Sequence, residues 1–475
     1  MDLGQFILMR HEMLLTIAAL AILVAEVFTS EKNKSRIIPF ALGLFALVTL
    51  VGFIPGETGN LFGGSFQSSQ LTTIMKNILN LAVLIIFLQA EGWLRKKENA
   101  DKISEYFILT LSTLIGMNFM ISAGDFMIFY IGLETATIPI AGLAAFDKMK
   151  SKSAEAGIKL ILSSALSSGI LLFGLSMLYG ATGTIYFTDM AGLITKDAMT
   201  LLGFIFFVSG MGFKISLVPF HFWTADVYEG APIMVTSYLS VVSKGAAVFI
   251  FTIILFTVFK NIVVLWQPMI YTLAVFTMTM ANLFALRQDN IKRFLAFSSI
   301  AQAGFILVGI MGASELGMTS VVYFVLVYVF TNLGAFGVVA AVHNASGVET
   351  ISGYNGLYKT NPMLSLLMTL SLFSLAGIPP VAGFFGKFFL FTAAASKGYY
   401  ILILIAVLNA TISLYYYLRV IKAMFIDKNE EPVASFRSTT AMRISLVMCV
   451  AGVFIIGFAS GIFEYIRTIS QQFLN

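Results

Sequence analysis

The sequence predicts an all-α integral membrane protein of about fourteen transmembrane helices, with two inverted five-helix repeats. High hydropathy, scarce charge and long apolar stretches lead to this fold class. Of 475 residues, 58% are hydrophobic and 11% are charged, and the mean hydropathy is +0.91. Because soluble domains carry about 25% charged residues, most of this chain is expected to face lipid or other helices.

Polar residues, glycines and prolines divide the chain into apolar stretches, numbered here as spans one to fourteen. Most of them reach the roughly 20 residues that an α-helix needs to cross a bilayer. The predicted spans are 12–29, 37–54, 74–93, 104–121, 126–146, 156–180, 198–222, 232–259, 262–286, 294–312, 318–343, 363–395, 400–425 and 441–466.

Basic residues in the connecting loops predict the orientation. Seventeen lysines and arginines lie in the odd-numbered loops and three in the even-numbered loops. By the positive-inside rule, the odd loops face the cytoplasm, and both termini lie on the opposite, periplasmic side. The largest basic groups lie in loops 32–36, 95–102, 148–152, 287–293 and 422–437.

The seventh and twelfth spans are predicted to be broken. Pro219 follows Lys214 in the seventh span, and Pro379 and Pro380 precede Lys387 in the twelfth. Proline removes a helix hydrogen bond and clashes with the preceding turn, so it frees backbone groups that only a cavity or a neighbouring helix can satisfy. Broken helices in corresponding positions of two halves indicate an inverted repeat.

The second break comes five spans after the first. This spacing predicts two five-helix repeats, with one segment before them and one after them, so that the chain has four segments. Residues 1–103 form an N-terminal three-helix segment, 104–260 the first repeat (helices 4–8), 261–425 the second repeat (helices 9–13), and 426–475 helix 14. An odd number of helices in each repeat gives the second copy the opposite orientation in the membrane.

Four charges lie deep inside these spans and are the candidate functional residues: Glu134, Lys214, Lys244 and Lys387. A charge at mid-bilayer costs about 2.5–3.5 kcal/mol on insertion scales, and such charges commonly mark proton or ion paths. Because pairing lowers the desolvation cost, we expect Glu134 to pair with Lys214 or with another of these lysines.

Polar residues near the breaks are weaker candidates. His221 lies two residues after Pro219, and since imidazole ordinarily titrates near neutral pH, it suits a proton relay between the lysines. Ser298, Ser299 and Gln302 on the tenth span could line a hydrated cavity. Serine in membrane helices commonly bonds its own helix backbone, however, and we expect that arrangement here.

The remaining charges and the cysteine count exclude other classes of site. Glu26 and Glu91 lie near helix ends and Lys76 begins the third span, so we expect interfacial anchors. One cysteine, Cys449, excludes an internal disulfide and a cysteine-ligated iron–sulfur cluster, and three histidines form no clustered metal site. We find no dinucleotide-binding motif, and without a polybasic tail nucleic acid is not an expected partner.

Three motifs carry a resemblance to a known family. They are GFKISLVP at 212–219, FHFWTADVYEGAP at 220–232 and SLAGIPPVAGFFGKFFLF at 374–391. With them, the chain resembles the N subunit of respiratory complex I, one of the antiporter-like proton-translocating subunits of NADH:quinone oxidoreductase. The similarity extends over essentially the whole chain. One departure is Ala225, where the family usually has proline.

The resemblance implies roles for the buried charges. Glu134 and Lys214 match the carboxylate and lysine of the first half-channel, Lys244 the central lysine, and Lys387 the lysine of the second half-channel. His221 matches a linking relay position less securely. The expected activity is proton translocation by a non-redox subunit of the enzyme, through coupled lysines.

The resemblance also implies the setting of the chain. No cofactor is expected in it, because NADH, FMN, iron–sulfur clusters and quinone belong to other subunits. Its expected partners are the lipid bilayer and other membrane subunits of complex I, including related antiporter-like subunits. Its expected location is the bacterial inner membrane.

Two other functions stay open at this point. One is a subunit of a multisubunit cation/proton antiporter, whose broken helices are related. The other is a stand-alone secondary solute transporter, which would bind its substrate at half-helix ends near the bilayer midplane. Purification separates them, because a stand-alone carrier runs alone whereas a subunit copurifies with many partners.

Overall fold

The computed structural model describes residues 3–474, and these residues are almost entirely helical. The ends of the first and last predicted segments, residues 1–2 and 475, lie outside the described residues. The α-helices are α1 (Arg10–Phe28), α2 (Ile37–Gly52), α3 (Gln70–Leu94), α4 (Ile103–Ile121), α5 (Phe126–Ala144), α6 (Ser151–Thr182), α7 (Phe187–Leu193), α8 (Ala198–Ile215), α9 (Phe222–Gly230), α10 (Ile233–Tyr238), α11 (Lys244–Thr257), α12 (Val263–Ala285), α13 (Ile291–Ile310), α14 (Glu315–Ser346), α15 (Leu357–Thr360), α16 (Pro362–Ala376), α17 (Ala382–Ala395), α18 (Tyr400–Phe425), α19 (Thr440–Phe458) and α20 (Ser460–Leu474).

Shorter elements join these helices. A π-helical turn, Leu239–Ser243, connects α10 to α11, so the two run as one span. Short 3₁₀ helices cover Leu3–Met9, Glu31–Arg36, Phe62–Gly64, Lys97–Asn99, Lys260–Ile262 and Ile351–Tyr354.

The predicted membrane fold is confirmed. Among the described residues, 13 helical spans are long and apolar enough to cross a membrane, and the shorter α16 and α17 are the two halves of the broken twelfth span. Predicted span 441–466 is wrong at its end, because α19 stops at Phe458 and α20 follows as a separate helix. Charged Glu464 and Arg467 lie on the open face of α20, while Phe463 and Ile466 are buried.

A β-hairpin between α2 and α3 was not predicted from the sequence. Strands β1 (Gly59–Leu61) and β2 (Phe66–Ser68) pair antiparallel, with Gly59 opposite Ser68. Each strand has only three residues, too few to show a clear alternation of apolar and polar side chains. We call the side of the bundle that carries this hairpin the hairpin end.

Both predicted breaks have the same helix ending. The residue after α8, Ser216, has φ 67°, and the residue after α16, Gly377, has φ 87°. Beyond each, an N–H reaches back to the last turn, from Leu217 to the Gly212 carbonyl and from Ile378 to that of Phe373. A left-handed residue with such back-bonding satisfies carbonyls that a broken helix would leave unpaired.

Matching features recur in the two five-helix units. Asp125 caps α5 and Asn290 caps α13, each through its side chain. Each cap residue also pairs with a later segment, Asp125 with Tyr186 and Asn290 with Thr350. The following long helices, α6 and α14, both have 32 residues. These features agree with a repeat, while its inversion across the membrane and the four segment boundaries stay predictions.

Three spans form the centre of the bundle. In the most apolar window of α10–α11, of α13 and of α14, 94% of the residues are buried. In α1, by contrast, 28% of the corresponding window is buried. Polar groups on the three central spans are therefore shielded from lipid by the surrounding helices.

The loop charges predict opposite sides for two accessible positions. Lys97→Cys, between α3 and α4, should react with a membrane-impermeant thiol reagent from the cytoplasmic side only, and Asn60→Cys, in the hairpin, from the outer side only. The native Cys449 is buried, so the unsubstituted chain is the control and should stay unlabelled. Labelling of both positions from one side would contradict the orientation.

Candidate functional site

Lys214 lies near the end of α8, two residues before Ser216. Its Nζ donates a hydrogen bond to Thr137 Oγ1 on α5. The chain of the break is tied down nearby, because the Val218 N–H donates to Thr277 Oγ1 on α12 at 3.0 Å. The break thus leaves the ammonium inside the bundle with a neutral hydroxyl as its acceptor.

Glu134 lies on the same helix as Thr137, one turn earlier. The predicted ion pair between Glu134 and Lys214, or another lysine, is not formed among the described residues, and Glu134 Oε1 is buried without a hydrogen-bond partner. Thr137 faces the same direction one turn along and binds the ammonium instead.

A small cavity of about 10 Å³ adjoins Lys214. Ser164, Ser167 and Ser168 of α6 line it together with Thr137. This volume is about that of one water-sized sphere, and a water needs several polar partners. Ser164 Oγ is buried and has no partner of its own. The cavity can therefore hold one water between the serines of α6 and Lys214, a feature that the sequence did not indicate.

Lys244 begins α11 and is 3% exposed. Its Nζ donates to the Ser299 hydroxyl at 2.6 Å and to the Ser299 carbonyl at 3.2 Å on α13. Ser240, in the π-helical turn, donates to the same hydroxyl at 3.1 Å and lies 3.0 Å from the Tyr328 hydroxyl. Among the residues the structure describes, no carboxylate pairs with Lys244, so one hydroxyl and one carbonyl, both of Ser299, bind this charge.

Lys387 lies on α17 and is 5% exposed. Its Nζ donates to the carbonyls of Leu375 and Ala376, both at 2.9 Å. These are the last two residues of α16, whose carbonyls lack an intrahelical partner because the helix stops there. The Phe305 ring lies 4.4 Å from Nζ and adds a cation–π contact. The carbonyls freed by the second break therefore form the binding site of Lys387.

Polar side chains on α13 connect the surroundings of Lys244 and Lys387. Gln302 Nε2 donates to the Leu375 carbonyl at 3.1 Å and to the Tyr417 hydroxyl at 3.3 Å. The Tyr417 hydroxyl lies 2.6 Å from that of Ser298, the chain neighbour of Ser299. The expectation that Ser298, Ser299 and Gln302 only bond their own helix is wrong, because partners on other helices lie within reach.

His221 is the residue before α9, makes no side-chain hydrogen bond to cap that helix, and is buried. Its ring packs against Phe222, with centroids 4.6 Å apart, and against Phe284, with centroids 6.4 Å apart. Among the described residues, its Nδ1 has no hydrogen-bond partner. The structure therefore does not connect His221 directly to Lys214 or Lys244, and its relay role stays a prediction.

The motif DVYEGAP fastens the broken helix to α13. Arg293 Nη1 lies 2.7 Å from Asp226 and 2.9 Å from Glu229, the two acids of the motif. Lys152 pairs with Glu229 at 2.8 Å. A Cβ at Gly230 would lie 2.2 Å from the Lys152 carbonyl oxygen, so the motif needs glycine there. These charges line the end of the bundle opposite the hairpin end, beside a cavity of about 540 Å³.

One buried ion pair lies outside these elements. Lys76 Nζ lies 2.6 Å from Glu12 Oε1, and each side chain is 2% exposed. The expectation that Lys76 is an interfacial anchor is therefore wrong, because α1 covers it. Among residues 3–474, no group of three or more metal-ligating side chains was found.

Comparison with known proteins identifies relatives of this chain. Residues 123–413 match the family described as NADH:quinone oxidoreductase/Mrp antiporter, transmembrane. NADH-quinone oxidoreductase subunit N of Azobacteroides pseudotrichonymphae is 50% identical, with 99% of each chain covered. The subunit of the same name from Phocaeicola vulgatus is 48% identical, with 98% of each chain covered.

A solved structure shows the same fold. A chain of respiratory complex I from Thermus thermophilus, with bound aureothin, is 25% identical. It superposes with a TM-score of 0.81, over 96% of this chain and 98% of that chain. The broken helices and the DVYEGAP motif indicate the same family as these relatives do. This chain belongs to the transmembrane family of NADH:quinone oxidoreductases and Mrp antiporters.

Proposed function

We propose that this chain is a proton-translocating membrane subunit of NADH:quinone oxidoreductase, driven by quinone reduction in other subunits. The observation that carries the proposal is the set of polar groups on α13 between two buried lysines, from Ser299 at Lys244 to Gln302 near Lys387. Relatives called NADH-quinone oxidoreductase subunit N share about half of its residues.

The lysines are suited to carry protons because neutral groups bind them. Removing an ammonium charge that is paired with a buried carboxylate leaves an uncompensated charge, at a cost of about 3–5 kcal/mol. Lys244 and Lys387 have hydroxyl and carbonyl acceptors instead, so either can lose its proton without stranding an opposite charge. Hydroxyls both donate and accept, so Tyr417 and Ser298 can hand protons on, with water bridging to Lys387.

Glu134 and Lys214 form the valve of the first half-channel in this proposal. In the structure, Lys214 binds Thr137 while Glu134 stands apart. Movement of the carboxylate toward Lys214 favours the charged ammonium, and movement away favours proton release. Redox events elsewhere in the complex drive that movement. The chain itself moves no electron or hydride, and NADH, FMN, iron–sulfur clusters and quinone are held by other subunits.

The same proposal assigns the setting of the chain. The loop charges support an orientation with both termini on the periplasmic side, and the bacterial relatives support the inner membrane of a bacterium as its location. Its partners are other membrane subunits of complex I, including antiporter-like subunits, with lipid around them.

A second candidate is a subunit of a multisubunit cation/proton antiporter, because the matching family includes Mrp antiporters. Purification of the tagged chain from native membranes separates the two. Copurifying quinone-reducing subunits support the proposal, and copurifying antiporter subunits alone would support the second candidate. A chain that runs alone would indicate a solute transporter.

Lys387→Met should uncouple proton transport from electron transfer. A positioned acid–base group speeds proton transfer by about 10²–10⁴-fold, so vesicle acidification should fall close to background while NADH oxidation continues. Both are measured on the same inverted membrane vesicles. Lys397→Met is the matched control, since this lysine is exposed ten residues further along the chain. Equal loss of both activities in an assembled complex would mean that Lys387 is structural.

Thr137→Val should weaken proton transport by removing the acceptor of the Lys214 ammonium. An unsatisfied buried group costs about 1–3 kcal/mol, more if charged, so the charged form of Lys214 becomes harder to load. We expect reduced acidification per NADH oxidised, with normal assembly. Thr135→Val is the control because Thr135 is exposed on the same helix. Unchanged acidification in Thr137→Val would refute the role of this hydrogen bond.

A further inference from the structure

The ion pair between Glu12 and Lys76 is a second set of buried charges outside the proposed half-channels. It joins α1 to α3, both outside residues 123–413 that match the family. Lys76 Nζ also lies 5.0 Å from the centre of the Phe66 ring in the hairpin. Buried ion pairs generally contribute little to stability, because the desolvation cost rivals the attraction. Stability is therefore a weak reason for this pair.

Helix α3, which carries Lys76, packs against the turn that carries Lys244. A Cβ built on Gly245 would lie 3.5 Å from Leu79 Cδ2 and 3.6 Å from Met75 Cε. Lys76 follows Met75 in the chain. It is six residues from the start of α3, which corresponds to about 9 Å along the axis. Along α3, Lys76 therefore lies between Met75 and Leu79, the two residues that contact Gly245.

Two further polar side chains of α3, Asn77 and Asn80, follow Lys76 along the helix. Asn77, the next residue, lies 3.0 Å from His11 Nε2 and donates to the Gly52 carbonyl. Asn77 also lines a cavity of about 310 Å³ at the hairpin end. One turn deeper, both amide atoms of Asn80 are buried without a partner, a sign of bound water. The polar groups therefore extend from deep in α3 to a cavity near the surface.

We propose that Glu12 and Lys76 form a further proton-transfer site, which passes protons from Lys244 to the cavity at the hairpin end. A proton leaves Lys76 Nζ and binds Glu12 Oε1, so that the ion pair becomes an amine and a carboxylic acid. The acid releases the proton to water in the cavity. The amine takes the next proton from Lys244 through water at Asn80, which restores both charges. This inference rests on the proposed function of the chain.

Lys76→Arg tests the transfer without removing the charge. Arginine keeps the ion pair but does not deprotonate in proteins, so the complex should assemble and oxidise NADH while vesicle acidification is lost. Glu91→Gln with Arg95→Met is the matched control. It removes an ion pair at the other end of the same helix, where the arginine is 47% exposed, and should leave acidification unchanged. Normal acidification with Lys76→Arg would overturn the inference.

A neutral pair provides the second test. Glu12→Gln with Lys76→Met leaves no unpaired charge, so it should assemble and lose acidification as well. A neutral pair that still acidifies vesicles normally would also overturn the inference. Lys387→Met in the same assay separates this failure from failure of the proposed function. If Lys387→Met abolishes acidification and both Lys76 variants do not, only the exit site is wrong. If none of them affects it, the proposed function fails.

Discussion

The structure depends on the cost of holding a lysine ammonium inside a membrane with no carboxylate against it. Effective desolvation of such an ion costs several kcal/mol, and here hydroxyls and carbonyls offset part of it. Lys244 is bound by Ser299 and Lys387 by the end of α16. Neutral acceptors stabilise the charged ammonium and still allow it to lose its proton. The three central spans shield the lysines and their acceptors from lipid, and the lysines can still bind or release a proton.

Both helix breaks offset this desolvation cost in a similar way. Each break ends a helix at a left-handed residue, Ser216 or Gly377, and leaves backbone groups inside the bundle. At the second break, the freed carbonyls bind Lys387 directly. At the first, the lysine lies just before the break and turns to Thr137 on the neighbouring helix. The same construction therefore gives two lysine sites with different acceptors, which allows them to differ in proton affinity.

The spans, the breaks and the buried lysines could be predicted because hydropathy and proline are local signals. The hydrogen-bond partners of the lysines and of α13 could not be predicted, because Ser299, Gln302 and Tyr417 bond residues that are far away in the chain. Lys76 was misjudged because its depth was estimated from its own helix, whereas α1 covers it. The predicted contact of Glu134 with Lys214 failed because Thr137, one turn further along the same helix, binds the ammonium. Sequence locates the charges in the middle of a span, and packing decides which other charges are buried and what binds each of them.

The number of protons moved per NADH oxidised, measured on the purified oxidoreductase in proteoliposomes with Lys244→Met, tests the central claim most directly. Lys244 has neutral acceptors and in the proposed function stands between the two half-channels, so its loss should lower this ratio while quinone reduction continues. Lys260→Met, at an exposed lysine in the short 3₁₀ helix that follows the span of Lys244, should keep the ratio of the unsubstituted enzyme. An unchanged ratio in Lys244→Met would contradict proton transfer through the buried lysines.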